Sequence, residues 1–166
     1  MSLPAAKVRG RSPNPVTMVL STSLLVALLD AILASMIYVV VLDLITVPRL
    51  FQGIAHAVLG QRAFDGGRAT VAVGVIIHFC VALTWSTVYY LLWTRWEGLR
   101  RFRERKGALA VASIYGPCVW FVMDLVVMPF TQNRVNPPTS GLFWVMAVGH
   151  ILSVGLPIVL TITPEE

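Results

Sequence analysis

The sequence predicts an all-α integral membrane protein, a bundle of four transmembrane helices. Three observations predict it. The 166 residues are 57% apolar and only 13% charged, against roughly 45–50% and about 25% in soluble globular chains. A soluble domain of this size has too much surface for its volume to hide that excess, and a disordered chain would be poor in apolar residues. Four stretches reach the length of about 20 residues that crosses a hydrocarbon core. They are continuously apolar rather than alternating, which selects helices over strands, and helices satisfy their own backbone in lipid.

The elements follow in order. A cytoplasmic N-terminal tail, 1–16, precedes a first span at about Thr17–Val47. That run is too long for a secretory signal and lacks a small-residue cleavage site. Residues 49–60, RLFQGIAHAVLG, place Leu50, Phe51, Ile54, Ala55, Val58 and Leu59 on one helical face, with Arg49, Gln52, His56 and Gly60 on the other. This predicts a short helix lying in the outer interface. Gly66-Gly67 breaks the chain before a second span at Thr70–Trp93. Spans at Ala108–Phe130 and Leu142–Ile162 follow, separated by Thr131–Gly141, where Pro137-Pro138 prevents helix. Residues 17–162 read as a single domain, and 163–166 as a C-terminal tail.

The basic residues orient the spans. Lys7, Arg9, Arg11, Arg95, Arg100, Arg101, Arg103, Arg105 and Lys106 fall on one side, and Arg49, Arg62, Arg68 and Arg134 on the other. The positive-inside bias therefore puts both termini and the Arg-rich loop in the cytoplasm. The net charge of +5 is accounted for by lipid headgroups and topology, without nucleic acid. Cys80 and Cys118 fall inside spans and read as small apolar residues. The aromatic cluster Trp85, Tyr89, Tyr90, Trp93 and Trp96 matches an interfacial belt rather than a cofactor cage.

Helices 1 and 3 echo each other: residues 41–48 read VLDLITVP and residues 122–129 read VMDLVVMP. Each copy precedes a span with one central histidine, His78 or His150. The echo predicts a pseudo-twofold pair of helical hairpins. Pro48 and Pro129 are expected to end helices 1 and 3, with Asp43 and Asp124 just inside them and Asp30 toward the cytoplasmic side.

Asp30, Asp43, His78, Asp124 and His150 are the ionisable residues within the spans. A charge in hydrocarbon is costly, so such groups face other helices or mark a function. His78 and His150 are expected inward and at similar depth, on stripes of small residues (Gly74, Ala82 and Ser86; Ala147 and Ser153) that permit close helix approach. Interhelical hydrogen bonding is the plainest use of these groups. A proton relay or ion path is another. The two imidazoles could also be axial ligands of a haem or chlorophyll-type pigment, although no cofactor is expected. Two Asp and two His could hold a divalent metal, but no HxxxH or HExxH pair supports it. Gly116-Pro117 inside helix 3 predicts a kink.

Signatures of soluble enzymes, GxSxG, Gly-rich phosphate loops and CxxC, are absent from the sequence. The leading expectation is a non-enzymatic accessory or structural subunit that associates with a membrane-protein partner or with itself. A small transporter or channel is the rival. The stretches AVLGQRAFDGG, GVIIHFCVAL with WSTVYYL, YGPCVWFVMDLVVMP and GHILSVGLPI, spanning about 25–160, resemble a group of small four-helix bacterial inner-membrane proteins. The resemblance implies topology and no activity. Members of that group tend to carry Asn at the position of Asp124, which weakens a carboxylate role there.

Overall fold

The computed structural model describes residues 14–163. Its helices are α1 (Pro15–Val41), α2 (Val47–Leu59), α3 (Gly67–Arg95), α4 (Glu97–Arg100), α5 (Arg105–Phe130) and α6 (Gly141–Ile162). No strand occurs among the described residues. Lys7, Arg9, Arg11 and the tail beyond Thr163 lie outside them. α1, α3, α5 and α6 are each long and apolar enough to cross a membrane, so the chain is a membrane-embedded protein with four candidate transmembrane helices.

α1 starts where the Asn14 side chain accepts a hydrogen bond from the Val16 N–H at 2.9 Å, with Pro15 in the first turn. It widens into a π-helix over Met36–Val41 and stops there, short of the expected Val47. Asp43 then adopts φ +48°, a left-handed conformation that Asp tolerates better than most side chains. Pro48 lies in the first turn of α2, where its missing N–H is no loss. It therefore opens α2 instead of closing α1, and the break moves upstream of it. Two expectations change as a result. Asp30 sits in the middle of α1, and Asp43 is exposed in the 43–46 connection rather than inside a helix. The sequence echo also carries two conformations, since 43–46 is non-helical whereas Val122–Val127 is π-helical and runs into a 3-10 turn at Met128–Phe130.

α2 packs on α3 so closely that a Cβ on Gly74 would overlap the Phe51 carbonyl. This contact reassigns its faces. Gln52, expected on the polar side, is buried with Nε2 at 3.4 Å from both the Gly67 carbonyl and Thr70 Oγ1. Val58 and Leu59, expected on the apolar side, are exposed. The far edge of α2 is tied to the α5–α6 connection. Gln132 N–H donates to the Ala57 carbonyl (3.3 Å), Asn133 Nδ2 to the Gly53 carbonyl (3.1 Å), and His56 Nδ1 to Asn133 Oδ1 (2.6 Å).

α6 is the most enclosed span and packs against α1, α3 and α5. Glycine makes its contact with α5 possible: a Cβ on Gly116 would overlap the His150 carbonyl, and one on Gly155 the Ala112 carbonyl. Ala112, Ile158, Val159, Ile162 and Tyr89 fill the core at the Arg-rich end. Tyr89 there meets Thr163 Oγ1 at 3.1 Å, and the Tyr115 hydroxyl donates to the Trp85 carbonyl at 2.7 Å. Cys80 and Cys118 are free thiols on the exposed surface rather than buried. α1 is the least enclosed span, and Val16, Leu20, Leu24, Leu28, Ile32, Met36 and Val40 form an exposed apolar stripe down it, the four-residue spacing of one helix face.

Candidate functional site

A cavity of about 250 Å³ lies among α1, α3, α5 and α6, with Leu50 and Ile54 of α2 completing part of its wall. Asp30, His78, Asp124 and His150 all line it. Asp43 does not, because the early end of α1 leaves it on the surface.

Each helix presents its group by its own periodicity. On α1, Asp30, Ala34 and Tyr38 recur every fourth residue along the wall. The two histidines address successive turns of that helix. His78 Nε2 lies 3.0 Å from the Ala27 carbonyl and His150 Nε2 lies 3.6 Å from Asp30 Oδ1. Three residues along an α-helix span about 4.5 Å, so the two rings sit near one level.

His150 is held from both sides. Its Nδ1 is 2.7 Å from the Met146 carbonyl, an oxygen that only accepts, so Nδ1 carries the hydrogen and the neutral ring leaves Nε2 as a lone pair. That lone pair faces the carboxyl of Asp30, whose Oδ1 also accepts from Ser153 Oγ at 2.9 Å. Two acceptors face each other unless a proton lies on one of them.

Asp124 is 2% exposed. Its Oδ1 accepts from Asn136, at 3.2 Å from Nδ2 and 3.5 Å from the backbone N–H. Among the described residues its Oδ2 has no partner, and neither has the indole Nε1 of Trp120, another wall residue. The Trp120 ring packs 4.9 Å from the His150 ring.

Three π-helical stretches contribute to the wall, through Tyr38, Asp124 and Val154. The second and third end two residues before Pro129 and Pro157. A proline ring denies a donor to the carbonyl four residues back, here Leu125 and Ser153, and the helix widens where that bond is missing. Such π turns recur at functional sites because they re-aim side chains.

No protein-family model, curated protein or solved structure matches this chain. Any functional reading rests on the cavity. Among the described residues no three His, Cys, Asp or Glu side chains gather as a metal site. Both histidine Nε2 atoms already face oxygen partners, and the volume falls below the roughly 300–1,000 Å³ of pockets for drug-sized ligands.

Sequence reasoning found four of the wall's ionisable groups but missed Tyr38, Trp120 and Asn136, and it placed Trp85, a wall residue, in an interfacial belt. Two of these left a signal. Tyr38 lies two helical turns from Asp30, and Trp120 one turn from Asp124. Asn136 left none, because a connection between helices has no periodicity to read.

Proposed function

We propose that this is a non-enzymatic, proton-handling transport protein, working from the Asp30–His150 pair as a four-helix bundle in the bacterial inner membrane with both termini cytoplasmic. One observation supports it above the others: His150 Nδ1 is committed to a carbonyl while Nε2 faces a carboxylate at 3.6 Å beside a cavity. That arrangement sets two proton-accepting groups side by side at the cavity wall. Intramembrane Asp and His placed in this way are the usual parts of proton relays.

The test is proton entry into proteoliposomes containing a pH-sensitive dye, driven by a potassium gradient and valinomycin. The expected result is flux well above that of protein-free vesicles, abolished in Asp30→Asn and in His150→Gln. Flux no faster than in empty vesicles would overturn the reading.

The exposed stripe on α1 from Val16 to Val40 favours a second reading, an accessory subunit that lays this face against another membrane protein. Migration as a lone monomer in mild detergent, with nothing captured from native membranes, would remove it.

A further inference from the structure

We propose that the cavity takes a protonated organic amine with a small apolar body, its ammonium held by Asp124 and its body lying against Trp120 one helical turn away. This deepens the reading of the cavity as a transport site by naming the class of solute.

Charge is the first argument. Among the described residues the cavity wall contains the carboxyl groups of Asp30 and Asp124 and no Lys or Arg. Asp30 has His150 as a partner. Among the described residues Asp124 has only the neutral amide groups of Asn136, and its Oδ2 has no partner. A carboxylate among apolar side chains is strongly disfavoured without a counter-charge or a full set of donors. The partner that fits is a cation carrying N–H hydrogens, because Oδ2 is an acceptor and a quaternary ammonium has nothing to donate.

The wall supplies the second argument. Metal ions of the hard divalent type need several oxygen ligands, and no cluster of three ionisable ligands exists among the described residues. Trp120 and Tyr38 instead line the cavity near Asp124, and aromatic rings attract an organic cation. Trp120 Nε1, also without a partner, is available to an oxygen on the solute. The volume of about 250 Å³ is below that of pockets for drug-sized ligands, which favours a body of about one ring. An ethanolamine lipid headgroup carries the same ammonium, so the source is either a free amine or a lipid.

The experiment uses the intact protein in phosphatidylcholine nanodiscs, with 2-phenylethylammonium as the probe and 2-phenylethanol as its neutral counterpart. Binding is followed by calorimetry and tryptophan quenching. The amine is expected to bind at least about tenfold more tightly than the alcohol, and Asp124→Asn is expected to weaken it by about tenfold or more. Asp43→Asn, outside the cavity, leaves binding unchanged. The amine also raises the melting temperature of the unmodified protein where the alcohol does not, a readout that survives any variant that fails to fold. Equal binding of the two probes, or none, would overturn the proposal and leave Asp124 holding a proton instead. In discs containing phosphatidylethanolamine, weakened amine binding identifies the headgroup as the occupant and unchanged binding identifies a free amine; the ammonium stands in both cases. Amine binding without proton flux would keep this site and remove the relay, whereas flux without amine binding would do the reverse.

Discussion

Replacing Gly116 with alanine tests whether the α5–α6 contact holds the cavity together. A Cβ at this position would lie 2.6 Å from the His150 carbonyl carbon and 2.9 Å from Ile151 Cα. Ordinary carbon–carbon contact is about 3.5–4.0 Å, so the helices must part by about 1 Å at the level of His150. Overpacking of this kind costs about 1–3 kcal/mol. Alanine also crowds the Cδ of Pro117, which glycine avoids. Its better helix propensity offsets at most about 1 kcal/mol. The expected net loss is about 2 kcal/mol, roughly a thirtyfold change in the folding equilibrium. Gly53 in α2 is the control, since nothing lies within 4 Å of a Cβ built there. Gly53→Ala should therefore show propensity alone, a gain of up to about 1 kcal/mol. The assay is equilibrium unfolding in mixed micelles on addition of sodium dodecyl sulfate, followed by tryptophan fluorescence and circular dichroism. A Gly116→Ala protein as stable as its parent, or two glycine variants that shift alike, would refute the reasoning.

Three further outcomes follow from named contacts. Ser153→Ala removes the donor to Asp30 Oδ1 and should lower stability by about 1.5–3 kcal/mol, the range for a hydrogen bond to a charged group, in the same unfolding assay. Tyr89 is 1% exposed and meets Thr163 through its hydroxyl, so Tyr89→Phe should lose about 1 kcal/mol and Tyr89→Ala about 3–5 kcal/mol. If the Arg-rich end is cytoplasmic, a membrane-impermeant maleimide applied to intact cells should label Gln61→Cys, on the opposite side, and leave Arg101→Cys unlabelled.

What could be read from the sequence was whatever composition and helical period control. Four spans follow from apolar content, and the inward faces of α3 and α6 from their small residues, with Gly74, Ala82, Ser86, Ala147 and Ser153 all buried. The position of Asp43 was not legible, because Pro48 is compatible both with ending one helix and with starting the next, and tertiary contact decides between them. The pairing of Asp30 with His150 depended on that same boundary. Counted from the outer end at 1.5 Å per residue, a span ending at Val47 puts Asp30 about 25 Å deep, whereas one ending at Val41 puts it about 16 Å deep and opposite the middle of α6. The burial of Gln52 was equally hidden, since its partners belong to the first turn of another helix.

The connection between α5 and α6 does two jobs within a few residues. Gln132 and Asn133 hold α2 through Ala57, Gly53 and His56, while Asn136 supplies both donors to Asp124. α2 in turn gives Leu50 and Ile54 to the cavity wall. The short helix and the buried carboxyl are thus fastened to one strap. Lifting that strap would open a wall of the chamber and strip Asp124 of its donors in the same movement, so access to the chamber and the chemistry of its acid are mechanically a single variable.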